Sequence, residues 1–202
     1  MVCVVGKIPE SAHRIGVLAG AFNPPTLAHL ALLTAAAKVL DCVVCSLPRE
    51  YPHKDFCGAT LDQRVSMLDQ LDQTVLVAEQ GLFIEMAREF RRDIRNDVEL
   101  YFLCGRDAAE RVVSWNYGGT VPLIAEQLVE YRLLVARRQG DFEAAEHMRH
   151  RITMLDVDAD CDAISSTCVR HWVEQGDGQW RSVIPKAIFE AVEQIYGRGD
   201  VP

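Results

Sequence analysis

Short apolar runs of strand-forming residues alternate with amphipathic helical stretches along the chain, and this alternation most limits what it can fold into. The strand candidates are Ile15 to Gly20, Cys42 to Leu47, Thr74 to Ala78, Val98 to Cys104, Arg132 to Ala136 and Ile152 to Val157. Several, such as VVCSL and LLVA, are apolar throughout, as strands covered on both faces are. Between them Leu30, Leu33, Ala37 and Leu40 make one helical stripe, and Val169, Trp172 and Val173 another. Leu82 to Arg95 reads as an exposed helix with a basic face, and Thr60 to Gln63 and Asp107 to Glu110 have the form of capping boxes. The order predicts an α/β fold, a doubly wound, mostly parallel sheet with helices on both faces and right-handed crossovers. Ligands in such folds sit beyond the C-terminal ends of the strands, so the loops that follow strands are where chemistry is expected. No repeat or compositional break marks a linker. The 202 residues are therefore expected to form one domain, 1–202, with residues 1–14 and 197–202 loosely ordered.

Composition narrows the functional classes. A net charge of −8 argues against generic binding to nucleic acid or to an anionic membrane, although a phosphate substrate needs only local donors. Seven scattered cysteines, an odd count, suit reduced thiols in a cytoplasm better than a disulfide framework. There is no run of apolar residues long enough to span a bilayer. The opening MVCVVGKIPESAHR has no apolar h-region before a small-residue cleavage site, so no secretory signal is expected. A cytoplasmic protein is the expectation.

Chemistry concentrates first in Gly20-Ala-Phe-Asn-Pro-Pro-Thr-Leu-Ala-His29, which follows the first strand candidate and opens a helix. Gly20 allows a tight exit, Asn23 can cap the helix and Pro24 suits its first position. The N–H groups of such a helix start attract anions, and Thr26 and His29, three apart, set a hydroxyl and an imidazole on one face beside them. A second segment, Ile164-Ser-Ser-Thr-Cys-Val-Arg170, puts Ser165, Ser166 and Thr167 at another helix start with Arg170 one turn in. Hydroxyls, backbone N–H groups and a planar guanidinium together cradle phosphate oxygens. Taken singly, each segment also has a plain structural reading, a helix start or a Ser/Thr cap followed by a surface arginine.

Together the two segments resemble the nucleotidyltransferase α/β-phosphodiesterase superfamily, which carries a G-x-F-[ND]-P-x-[HT]-x-x-H segment after its first strand and an I-S-[ST]-[ST]-x-[VI]-R segment late in the chain. Thr26 stands where other members have a first histidine, and Ala28 where many have glycine. Phe102-Leu-Cys-Gly-Arg-Asp107, ending in Trp115, resembles the G-x-D…W segment of nicotinate- and nicotinamide-mononucleotide adenylyltransferases. Pro52-His-Lys54, followed by Arg64 and then Met67-Leu68, resembles the nicotinate branch. Leu134-Val-Ala-Arg-Arg138 and Ile184-Pro185 are weaker echoes. The resemblance covers about residues 15 to 196 and departs at Asn116 to Tyr131.

The resemblance implies a Rossmann-like nucleotidyltransferase that joins ATP to nicotinate or nicotinamide mononucleotide, forms the dinucleotide of the NAD pathway and releases pyrophosphate. It implies His29, Thr26 and Arg170 as catalytic residues. Gly20, Ala21, Phe22, Asn23, Gly105, Asp107, Ser165, Ser166 and Thr167 are implied at ATP, and Lys54 and Trp115 at the acceptor. Mg²⁺ would be carried with ATP, with no metal held by protein ligands. ATP and a pyridine mononucleotide are the expected partners, with neither nucleic acid nor membrane, and homo-oligomers are common among such enzymes. Transfer to another phosphate acceptor, such as a phosphopantetheine or a sugar phosphate, is the alternative enzyme. A nucleotide sensor without turnover is the alternative from another class.

Other signals read as structure. Cys42-Val-Val-Cys45 has metal or redox spacing, but in a strand residues three apart point to opposite faces. Asp156, Asp158, Asp160 and Asp162 alternate like a calcium loop, but Cys161 and Thr167 stand where that loop needs Gly and Glu. His147 and His150 are read as part of a solvated helix with Glu143 and Glu146. The chain has neither G-x-G-x-x-G nor G-x-x-x-x-G-K followed by Ser or Thr, which disfavours a dehydrogenase and a P-loop ATPase.

Overall fold

The apolar runs pair in parallel because the segments between them are long enough to cross back over the sheet as helices. In a computed structural model, which describes residues 2–49, 58–115, 119, 122–137, 142–157 and 164–197, the order of elements is β1 (Cys3–Val5), β2 (Arg14–Ala19), α1 (Leu27–Ala37), β3 (Cys42–Pro48), α2 (Leu61–Asp69), β4 (Val75–Ala78), α3 (Phe83–Asp93), β5 (Glu99–Gly105), α4 (Arg106–Ser114), α5 (Ile124–Glu130), β6 (Arg132–Ala136), β7 (Ile152–Leu155), α6 (Ser166–Gln175) and α7 (Phe189–Tyr196). The sheet order is β1-β4-β3-β2-β5-β6-β7. Every neighbouring pair is parallel except β1 with β4. The chain builds β3 and β4 to one side of β2 and then β5, β6 and β7 to the other. The winding therefore reverses between β2 and β5, whose register sets Leu18 against Leu103.

Strand alternation divides the core into two layers. Ile15, Val17, Val44, Leu100, Phe102, Leu133 and Val135 face one way, under Ile84, Ala87 and Phe90 of α3, Ala109 of α4 and Leu128 of α5. Leu18, Cys45, Leu47, Leu103, Leu134 and Ala136 face the other way, under Leu32, Leu33 and Ala36 of α1 and Leu68 of α2. Cys42 packs in the first layer and Cys45 in the second, as the strand reading of that pair requires. Gly16 leaves room for Leu40, whose Cδ1 would lie 2.7 Å from a Cβ there. A third cluster joins Ala59 and Met67 at α2, Val169 and Val173 on α6, Trp180, Ile184 and Ile188 in the turns beyond α6, and Val192 and Tyr196 on α7. This cluster ties α6, which carries the second candidate phosphate segment, to α2 and α7.

Several sequence expectations change. Cys3–Val5, in the stretch expected to be loose, forms an antiparallel edge strand on β4. It is too short to show a periodic signal. The chain on either side of it is secured by side chains: Asp93 accepts from the Val2 N–H at 2.8 Å, and Arg95 donates to the carbonyls of Pro9, Glu10 and Ala12. The helix expected to be exposed at 82–95 is amphipathic and core-covering over Phe83–Asp93, with Arg88 and Arg92 exposed on the outer side. On α1 the buried residues are Ala28, Leu32, Leu33, Ala35 and Ala36; of the expected stripe, Leu33 and Leu40 are buried and Leu30 packs against the core, while Ala37 is exposed. His147 and His150 lie in a short 3-10 turn, Glu146–Arg151, that runs directly into β7 and leaves no length for an α-helix. The Thr60–Gln63 capping box forms, with Gln63 Oε1 accepting from the Thr60 N–H at 2.8 Å and Thr60 Oγ1 from the Gln63 N–H at 3.2 Å. The Asp107–Glu110 box does not, because β5 passes straight into α4 with Gly105 as N-cap. The Asp158–Asp162 part of the acidic alternation and residues 198–202 lie outside the described residues. Among the described residues no helix is long and apolar enough to cross a membrane.

Candidate active site

The loop after β2 occupies the place where the winding reverses. Gly20 donates its N–H to the Ser46 carbonyl at the end of β3 (3.1 Å), so the loop leaves the sheet at its C-terminal edge. Phe22 is buried in the left-handed region at φ 46°, a costly conformation for a non-glycine residue that the surrounding contacts must hold. The expected cap at Asn23 is displaced. Pro24 precedes Pro25 and is thereby steered away from helical backbone, so α1 starts only after Pro25, with Thr26 as N-cap.

Thr26 and His29 then meet as their spacing requires. The Thr26 N–H donates to His29 Nδ1 at 3.1 Å, and Thr26 Oγ1 lies 2.7 Å from the same nitrogen. An Nδ1 that accepts an amide proton is unprotonated, so the neutral ring carries its proton on Nε2. Phe22 packs 5.0 Å from the imidazole, and Thr26 is fully buried. His29 lines a cleft of about 210 Å³ with Ala19 of β2, Cys104 and Gly105 of β5, Phe83 of α3 and Ile164. Burial pushes the Cys104 thiol up to about 12, so this wall stays neutral and is no thiolate nucleophile.

The second segment comes to the same loop. Ser165 caps α6, its Oγ accepting from the Cys168 N–H at 3.1 Å. Ser166 Oγ donates to the Pro24 carbonyl (2.8 Å) and Arg170 Nη1 to the Asn23 carbonyl (2.6 Å). Arg170 Nη2 donates to Thr167 Oγ1 at 3.3 Å, while Thr167 and Ser165 are exposed at the helix start. Arg64, buried on α2, donates to the Ala21 carbonyl at 3.2 Å. Two arginines from different helices thus grip nearby carbonyls of the loop. Asn23 Oδ1 accepts from the Ala59 N–H at 3.1 Å and from the Tyr196 hydroxyl. Gly58, at φ 108°, lets the chain pass Asn23, since a Cβ there would lie 2.7 Å from Asn23 Nδ2.

The structure thus brings Gly20, Ala21, Phe22, Asn23, Thr26, His29, Ser166 and Arg170 together, with Gly105 across the cleft. Asp107 is exposed in the first turn of α4, where the helix N-terminus favours a carboxylate. Trp115 stands exposed at the other end of α4, roughly 15 Å from Gly105 at 1.5 Å per residue. Lys54 lies outside the described residues. Phe83, the Arg64 contact to the loop and Tyr196 were missed by sequence reasoning. Arg64 had a signal in its spacing from Lys54, whereas Phe83 and Tyr196 had none. Among the described residues no group of three or more His, Cys, Asp or Glu is placed to hold a metal ion.

The family model described as cytidylyltransferase-like matches residues 17–171. The chain belongs to this family. The matched span holds both loop segments and the strand switch between them. Among relatives, the chain is 26% identical over 200 residues to a Listeria welshimeri protein named "Probable nicotinate-nucleotide adenylyltransferase", covering 92% of this chain and 98% of that one. It is 27% identical over 207 residues to a protein of the same name from Moorella thermoacetica, covering 89% and 88%. Among solved structures it is similar to the Plasmodium falciparum nicotinic acid mononucleotide adenylyltransferase complexed with NaAD, with a TM-score of 0.65 at 15% identity over 90% of this chain and 95% of that one. The same enzyme complexed with APC gives a TM-score of 0.63 at 14% identity. The fold of this cytidylyltransferase-like chain is therefore the Rossmann-like fold of that enzyme.

Proposed function

We propose that the chain is an adenylyltransferase that joins ATP to nicotinate or nicotinamide mononucleotide and releases pyrophosphate. The observation that carries this reading is the Thr26–His29 pair at the strand switch point, with the Ser166–Arg170 segment clasped onto the same loop. The names of the relatives support the choice of acceptor.

In the proposed reaction an oxygen of the acceptor 5′-phosphate attacks the α-phosphorus of Mg·ATP. The new P–O bond forms in line as the bond from the α-phosphorus to the α,β-bridging oxygen breaks, and pyrophosphate leaves with that oxygen. The nucleophile needs no general base, since a phosphate monoester with a second pKa near ~6 is largely ionised at neutral pH. The protein's task is to align two polyanions and stabilise charge building on the non-bridging and leaving oxygens. His29 suits this as a donor through Nε2–H, because Thr26 occupies Nδ1 and fixes the ring. Ser165, Thr167, the start of α6 and Arg170 are assigned to the leaving pyrophosphate, and Lys54 to the acceptor phosphate. Mg²⁺ arrives on the phosphates of ATP as part of the substrate.

The test is where the phosphorus goes. With ATP labelled at the α-phosphorus, the label should appear in a dinucleotide and leave the pyrophosphate unlabelled. Transfer of the γ-phosphorus instead would make the chain a kinase and end this reading.

A further inference from the structure

Asn23 is one of the points where the candidate nucleotide loop meets the rest of the molecule, and a residue far along the chain hydrogen-bonds to it. Its carbonyl accepts from Arg170, its Oδ1 from the Ala59 N–H, and the same Oδ1 from Tyr196 at the end of α7. Tyr196 is 8% exposed and its ring belongs to the third core cluster with Ala59, Val169 and Val192. The hydroxyl lies within electrostatic reach of Arg64 and Arg170, the two arginines that grip the loop carbonyls. Burial pushes its pKa well above the ordinary phenol range, so it stays a proton donor wherever the protein works.

We infer that Tyr196 is a positioning residue for the transfer: its hydroxyl fixes the Asn23 amide, and through it the loop that carries Thr26 and His29 and the carbonyl that orients Arg170. The inference rests on the reading of that loop as the transfer site. A hydroxyl held in a buried core has a simpler use in stability alone, but here the acceptor is a loop side chain rather than a neighbour within the third cluster. Removing the hydroxyl leaves the ring and its packing in place and releases one of the donors that hold Oδ1. A loop free to shift by a fraction of an ångström lowers the rate of an in-line reaction much more than it lowers ground-state binding.

The experiment compares wild type with Y196F by hydrogen exchange and by kinetics. Exchange of the peptide covering residues 20–30 should rise about tenfold while that of α7 changes by less than about twofold. The kcat for pyrophosphate release should fall about tenfold, with the Kd for ATP within about twofold of wild type. The pair should also couple. In N23D, which keeps an acceptor for both donors, Y196F should still cost about tenfold. In N23A it should cost under about twofold, because the partner is already gone. If N23A does not fold, N23S, too short to reach either donor, takes its place. Loosening of α7 with an unchanged loop, an unchanged kcat, or full multiplication of the two effects in N23A would overturn the inference. Wild type that turns over no pyridine mononucleotide would defeat the functional reading instead, and the exchange arm would still decide whether Tyr196 holds the loop.

Discussion

At the scale of the residue, the His29 imidazole is held by its own helix start. The Thr26 amide and hydroxyl both address Nδ1, and Phe22 packs against the ring. Such a donor adds little to ground-state binding and most to the transition state. His29→Ala should therefore lower kcat by roughly 10²- to 10³-fold. Its thermal midpoint should stay within a few degrees of wild type, since His29 lies at the cleft and outside the core clusters. Steady-state kinetics beside a thermal melt checks this, and a fully active His29→Ala would remove His29 from the site. The pairing of Thr26 with His29 was legible in the sequence because helical spacing brings residues three apart together. The resemblance placed Ser166 and Arg170 at the same ATP as the first segment, but not their hydrogen bonds to the Pro24 and Asn23 carbonyls. Tyr196 was not legible, since a hydrogen bond across most of the chain leaves no local pattern. The N-cap was misplaced at Asn23 because the deciding constraint comes from Pro25, which bars Pro24 from the first helical turn that a lone proline would suit.

At the scale of the element, the six parallel strands were the most legible features, within a residue or two, because runs buried on both faces cannot be disguised. Helix starts were less so, as capping depends on how the preceding strand ends. Two elements give tests. Asp41 holds the start of β2, its carboxylate accepting from the His13 and Arg14 N–H groups and from the Arg14 guanidinium. The Arg14 and His13 amides hold its carboxyl down to about 2. A carboxylate whose folded pKa lies below the ordinary value of about 4 contributes stability that is present above that value and lost as pH falls through the folded one. The stability gap between wild type and Asp41→Asn should therefore be open at pH 5 and close between about pH 4 and pH 2, as thermal melts across that range would show. The third cluster gives the other test. Ile188, fully buried there just before α7, should lose roughly 2–5 kcal/mol on change to alanine in urea unfolding. A loss well below that would mean that α7 is not packed as described.

At the scale of the whole molecule, the fold makes one reversal of winding, and the candidate site lies on it. Strand β2 supplies the loop, β5 the opposite wall, and α2, α6 and α7 hold the loop from behind. The doubly wound sheet was legible from the order of elements. The closure of α7 onto the loop was not, because it depends on packing between helices that are distant in sequence. The arrangement supports adenylyl transfer, and the acceptor is what most needs a direct trial. Pyrophosphate release from Mg·ATP, measured side by side with nicotinate mononucleotide, nicotinamide mononucleotide, phosphopantetheine and glycerol 3-phosphate, tests it. An adenylyltransferase of the proposed kind gives sustained release with a pyridine mononucleotide and none with the other two acceptors. Measurable ATP binding without release on either pyridine nucleotide would contradict that proposal.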